Sequence, residues 1–141
     1  MVPSAESFCD EVRTTLGPLA REAGLEGPEV SSLEYLPTAS YKQGAVRYDI
    51  SLDPSEGQLV STVTATLERS VLTAELEQVA IAAGITEARG RISFSARNLR
   101  QLRNSLLGHA QYISLLHPRL VGGGSEEVMR RADASESFPG R

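Results

Sequence analysis

Residues 91–118 read RISFSARNLRQLRNSLLGHAQYISLLHP, a short strand pattern that leads directly into a long helical one. We predict a strand over 91–94 and a helix from Ser95, acting as N-cap, to Pro118, which stops it. The apolar positions recur every three or four residues, as the buried stripe of a helix does: Leu99, Leu102, Leu106, Ala110, Ile113 and Leu116. The unit therefore predicts a long helix that packs on a sheet.

The segments before this unit complete an α+β pattern. In chain order they predict a helix over 4–23 that Ser4 caps and Gly24 ends, strands over 30–36, 46–53 and 59–67, and a helix over 71–83. Apolar and polar residues alternate strictly over 46–53, and the turn at 53–57 has Pro early and Gly late, which indicates a hairpin. We expect an antiparallel sheet of about four strands packed against the first and last helices, in the order α-β-β-β-α-β-α.

The chain of 141 residues fits one domain, which we place at 1–120. We expect 121–141 to be a flexible tail, with a glycine hinge at 122–124, a short helix over 126–134 and disorder from 135 onward. A lone cysteine, Cys9, and the absence of a signal-peptide pattern or a long apolar run predict a cytoplasmic protein with no membrane span.

The charge is distributed unevenly along the chain. Residues 1–80 contain 5 Lys and Arg against 13 Asp and Glu, whereas residues 81–141 contain 9 against 5, and the net charge is −4. Several Arg residues crowd the start of the last helix, where they could contact phosphate. A pI of about 5.2 and the absence of Lys clusters argue against nucleic acid as the partner.

No pattern of catalytic residues is found. His109 and His117 lie eight positions apart, which on a helix separates them by more than two turns and about 80° of rotation, a poor geometry for joint metal binding. We expect His109 to be a partly buried structural residue and His117 to be a cation that complements the end of the helix dipole. We therefore predict no enzymatic activity, no metal and no cofactor.

The outward side of the long helix is the predicted contact surface for a protein partner. It combines Arg, amide and apolar side chains, a mixture typical of interface cores: Arg97, Arg100, Arg103, Asn104, Leu107, Gln111, Tyr112 and Leu115. Four alternatives remain open: the tail covers this strip, the helix is buried on two sides, a pocket between sheet and helix uses His109 for ligand binding or catalysis, or the Arg residues bind nucleic acid.

The order of elements resembles the type III secretion chaperone fold, which bacterial proteins outside secretion systems also share. The resemblance rests on the helix over 8–23, the meander over 46–67 and the strand at Phe94 that enters the helix over 99–116, and it covers most of residues 4–118. It implies a homodimer that binds an extended or amphipathic segment of a partner and performs no chemistry. Small immunity proteins that neutralise a toxin are similar in size and acidity.

Overall fold

The computed structural model describes residues 2–33 and 36–139. Its first element, α1 (Ala5–Ala23), begins after Ser4, whose hydroxyl accepts a hydrogen bond from the Ser7 N–H at 3.1 Å. Gly24 ends the helix in the left-handed conformation with φ of 78°, which a residue without Cβ adopts at little cost. The predicted first helix and both of its end signals are confirmed.

The second layer is an antiparallel sheet that has six strands within the described residues, so the prediction of four strands is wrong. The strands are β1 (Glu26–Leu33), β2 (Leu36–Gln43), β3 (Val46–Asp53), β4 (Gln58–Thr66), β5 (Val71–Glu75) and β6 (Ser135–Ser137). Their spatial order is their sequence order, β1-β2-β3-β4-β5-β6. The hairpin of β3 and β4 agrees with the predicted turn at 53–57.

The sheet has one apolar and one polar face, because directly paired residues of neighbouring strands share a face. Tyr41, Tyr48 and Val63 are aligned on the first face and are almost fully buried. The same paired register aligns Ser40, Asp49 and Thr62 on the second face. The sheet is contacted by α1, α2 (Leu76–Ala82), α3 (Leu99–Arg119) and α4 (Ser125–Arg131). The domain is thus a helical layer on an antiparallel sheet, an α+β fold.

The predicted strand at 30–36 corresponds to parts of two strands. In the structure β1 begins four residues earlier and β2 begins at Leu36, and residues 34 and 35, which the prediction included, lie outside the described residues. Pro28, Pro37 and the run of serines hide the alternation by which strands are recognised. The prediction therefore missed most of β2.

The predicted helix over 71–83 is half wrong, because its first five residues form β5. Leu72 and Ala74 face the core and pair with Ala65 and Val63 of β4, and the helix α2 begins only at Leu76. Leu72 and Leu76 are four residues apart, a spacing that also fits a helix. Residues 71–75 form a strand rather than a helix because they pair with the edge of β4.

The predicted strand at 91–94 does not form a ladder. Its contacts with the sheet are a hydrogen bond of 2.7 Å from the Leu59 N–H to the Phe94 carbonyl and a single bridge between Gln58 and Ser95. Because β5 pairs with β4 over residues 62–66, only the first residues of β4 leave an edge for this segment. Two apolar residues, Ile92 and Phe94, were too short a pattern to predict a strand.

The long helix is present as α3, with both ends shifted from the prediction. Asn98 caps it, since its side-chain oxygen accepts a hydrogen bond from the Gln101 N–H at 2.9 Å. The predicted cap, Ser95, precedes Ala96, whose N–H donates to the Gly57 carbonyl at 2.8 Å and holds this part in the loop. Pro118 lies inside the last turn, and α3 ends one residue later.

The segment after α3 packs on the core, in contrast to the flexible tail that we expected. A kink at Gly123, whose φ is 94°, leads from the end of α3 into α4, which agrees with the expected short helix, and β6 pairs with β5. Met129 of α4 is fully buried. Glu136 of β6 accepts hydrogen bonds from Arg130 and, at 2.7 Å, from the Ser70 hydroxyl, so this end of the chain closes the β5 edge of the sheet. The predicted disorder of residues 140 and 141 lies outside the described residues.

Met129→Ala should lower the free energy of unfolding by about 3 kcal/mol, because it leaves a cavity in the core. Val121→Ala, at a half-exposed position just before α4, should change it by less than about 0.5 kcal/mol. Urea unfolding of both variants measures the difference. Equal, small effects would show that the tail is mobile in solution, as the sequence predicted.

Candidate functional site

The predicted contact residues of α3 fall into an exposed group and one buried exception. Leu107 is 62% exposed and Leu115 is 50% exposed, and both lie on the outward side of the helix. Arg100, Asn104, Leu107, Gln111 and Leu115 follow one another at spacings of three and four, which places them within about 80° of the helix circumference. These five residues are the α3 stripe. Arg97 and Arg103 are also exposed and flank it.

Tyr112 does not belong to this surface, and its predicted exposure is wrong. It is 6% exposed, and its hydroxyl is buried without a hydrogen-bond partner among the residues described. Gly108, one turn earlier, packs so closely on Ile92 that a Cβ atom there would lie 3.0 Å from the Ile92 side chain. The loop before α3, together with α2, therefore covers a side of the helix that its amphipathic pattern leaves free.

The region around α3 is basic, and acidic side chains elsewhere in the chain compensate only part of its charge. Residues 88–125 contain six Arg and no Asp or Glu. Arg103 is paired with Glu11 of α1 at 3.0 Å, Arg89 with Glu77 at 3.5 Å, and Arg119 donates to the Ala83 carbonyl. The other three, Arg91, Arg97 and Arg100, form no ion pair within the described part of the chain. They leave uncompensated positive charge beside the start of α3.

His109 is held in the core by a chain of hydrogen bonds. Its Nδ1 lies 2.7 Å from the Ser61 hydroxyl of β4, and its Nε2 lies 3.2 Å from the Ser93 carbonyl oxygen. A carbonyl oxygen only accepts, so Nε2 carries the proton and Nδ1 accepts from Ser61. Burial lowers the pKa of His109 to about 4, against the opposing effect of the Ser93 carbonyl, and the ring is neutral at pH 7.

The hydrogen bonds from Ser61 through His109 to Ser93 have the order of hydroxyl, base and orienting group that is found in activated nucleophiles. A cleft of about 240 Å³ beside β4 is lined by Ser61 and Phe94, whereas the His109 ring is fully buried and does not line it. Ser61 itself is 5% exposed. The geometry favours a structural role, in which the imidazole holds α3 on the sheet.

His117, in the last turn of α3, has an equivalent arrangement. Its Nδ1 lies 2.7 Å from the Tyr48 hydroxyl, and its Nε2 lies 2.6 Å from the side-chain oxygen of Gln43. Burial lowers the pKa of His117, which keeps the ring neutral at pH 7. The expectation of a cation at the end of the helix dipole is therefore wrong, because the ring faces the sheet rather than solvent.

Comparisons with protein-family models, with curated proteins and with solved structures return no match for this chain. The resemblance to the type III secretion chaperone fold thus stays a prediction. Among residues 2–33 and 36–139, no helix is long and apolar enough to cross a membrane. In the same ranges, no three His, Cys, Asp or Glu side chains lie close enough together to hold a metal ion.

The lowered pKa of His109 makes stability depend on pH. The unfolded state binds a proton at a pKa of about 6.5 and the folded state only at about 4, so the stabilisation is present above pH 6.5 and is lost as the pH falls toward 4. Between pH 7 and pH 5 this residue should remove about 2 kcal/mol of unfolding free energy. Urea unfolding at both values measures it.

His109→Gln should flatten this pH dependence by most of that amount, whereas His117→Gln should leave the His109 contribution in place. An NMR titration of the His109 imidazole should find it neutral down to pH 5. A His109 pKa near 6.5, or the same slope in His109→Gln, would contradict the buried neutral imidazole.

Proposed function

We propose that this chain is a non-enzymatic, cytoplasmic protein-binding module whose α3 stripe binds an acidic amphipathic segment of a partner protein. The observation that carries the proposal is the pair of exposed leucines, Leu107 and Leu115, on a helix whose neighbouring Arg97 and Arg100 have no internal ion-pair partner in the described structure. An escort for that partner, or a factor that neutralises it, would act through such a surface.

The apolar component of the surface supports contact with side chains rather than with a small ligand. Leu107 and Leu115 are two helical turns apart with Gln111 between them. Leu99 is also partly exposed but lies about 80° further around the helix from Leu107, outside the α3 stripe. Exposed apolar side chains in a row, surrounded by polar and Arg side chains, are typical of interfaces in which a few residues carry most of the binding energy. A partner helix with apolar side chains two turns apart would match the spacing of Leu107 and Leu115.

The charged component determines the chemistry of the partner. Arg97 and Arg100 lie at the N-terminal end of α3, where cations oppose the helix dipole and weaken the helix. Carboxylates of a bound segment would neutralise both the Arg side chains and this unfavourable field, and Arg binds carboxylates with two parallel hydrogen bonds. We therefore infer an acidic partner segment. The single free cysteine, Cys9, fits the reducing compartment that the proposal assumes.

A peptide selection tests the proposal with a defined probe. A library of random 16-residue peptides displayed on phage is selected on the immobilised protein, and synthetic copies of the recovered peptides are titrated by calorimetry. We expect Asp or Glu combined with Leu, Ile or Phe at spacings of three and four. Leu107→Ser with Leu115→Ser, and separately Arg97→Glu with Arg100→Glu, should each weaken binding at least about tenfold.

Two matched variants serve as controls, because Val60 and Arg69 are exposed and lie on the sheet and on the β4–β5 loop. Val60→Ser and Arg69→Glu should leave affinity unchanged. Recovered peptides without acidic residues, or affinities that neither double variant alters, would overturn the proposal. Retention on duplex DNA that falls steeply with salt and is lost in the Arg double variant would replace it with nucleic-acid binding. A dimer disrupted by the leucine double variant would identify a second copy as the occupant.

A further inference from the structure

A second cleft, of about 260 Å³, lies between α1 and the strands β1 and β2, away from the α3 stripe. It is lined by Arg13, Gly17 and Arg21 of α1, by Gly27 of β1 and by Tyr41 of β2, and no acidic side chain of the described residues lines it. Arg13 has one weak ionic contact, with Asp10 at 3.7 Å between exposed side chains, and Arg21 forms no ion pair within the residues described. The cleft therefore presents two guanidinium groups whose charge is largely uncompensated.

The spacing on α1 opens this cleft. Arg13, Gly17 and Arg21 are four residues apart in succession, so they lie on one side of the helix. A Cβ atom at Gly17 would meet only the Arg21 Nη1 atom, at 3.6 Å, which shows that the guanidinium of Arg21 extends along the helix over the glycine. Glycine weakens a helix interior compared with alanine, and here the Arg21 guanidinium lies close to the backbone of this glycine.

Tyr41 lines the cleft from the sheet and carries a hydroxyl without a hydrogen-bond partner in the described structure. The residue is 2% exposed, and its hydroxyl is buried without a partner in the described structure. Leaving such a group unpaired costs free energy, so unpartnered hydroxyls are rare in folded proteins. Burial raises the pKa of Tyr41, and the charge of Arg13 opposes this rise.

We infer that this cleft is a binding site for a phosphate group, either free phosphate or the phosphate of a small phosphomonoester. Arg13, Arg21 and Tyr41 supply donors from the helix and from the sheet, and a tetrahedral anion has acceptor oxygens on all of its sides. A carboxylate carries a single negative charge, whereas a phosphate monoester carries about −1.5 to −2 at pH 7, which suits two guanidinium groups better. The volume exceeds that of one phosphate and leaves room for a small organic substituent.

An NMR titration at constant ionic strength tests the site with three probes: inorganic phosphate, glycerol 3-phosphate and acetate. Phosphate and glycerol 3-phosphate should give saturable shifts of the Gly17 and Gly27 amides, and acetate should bind at least about tenfold more weakly. Tighter binding of glycerol 3-phosphate than of phosphate would identify a phosphomonoester as the ligand, and the reverse order would identify free phosphate. Both orders support the site.

Conservative variants separate binding from folding. Tyr41→Phe and Arg21→Gln should each weaken phosphate binding about tenfold, whereas Arg69→Gln, on the β4–β5 loop, should not change it. Because the Tyr41 hydroxyl has no partner, Tyr41→Phe should unfold at the same urea concentration as the wild type, or higher, in phosphate-free buffer. Shifts that stay linear with concentration, that persist unchanged in both cleft variants, or that are matched by acetate would overturn the inference.

Discussion

Two neutral imidazoles fix α3 on the sheet, and the rest of the structure depends on this attachment. His109 bonds to Ser61 and to the loop carbonyl of Ser93, and His117 bonds to Tyr48 and Gln43, so each ring nitrogen has a partner. Unpaired, these buried groups would be costly, and a turn or a slide of α3 would unpair them. The helix therefore has one position and one rotation, which separates the core stripe from the outward stripe.

This acidic chain carries two cationic surfaces. Arg residues that connect two elements of the fold have acidic partners: Arg103 is paired with Glu11, and Arg130 is paired with Glu136. At the start of α3, Arg97 and Arg100 form no ion pair within the described residues. In the α1–β2 cleft, Arg21 forms none there either, and Arg13 has only the 3.7 Å contact with Asp10. The first surface also exposes leucines, which suits a protein segment, and the second encloses a buried Tyr41 hydroxyl, which suits a small anion.

The accuracy of the predictions followed the range of the interactions that form each element. The α1 caps, the β3–β4 hairpin and the apolar stripe of α3 are set by residues close in sequence, and those predictions agree with the structure. The exception is Leu99 at the start of the stripe, which was predicted to be buried and is 36% exposed. β5 and the 91–94 segment were misassigned because the same residues fit two local conformations until β4 offers or withholds an edge. The burial of Met129 could not be predicted, since it depends on a distant surface.

At the level of the sites, the amino-acid sequence by itself determined that α3 carries an outward row of Arg, Leu and amide side chains, because helical periodicity is a local property. Only the tertiary structure decided that Tyr112 is covered and that Arg97 and Arg100 have no internal partner in its described part. The tertiary structure also placed Arg21 in one cleft with Tyr41, which is twenty residues away in the sequence. Covering a side chain, pairing a charge and closing a cleft each require a second element, and its position is set by packing rather than by local sequence.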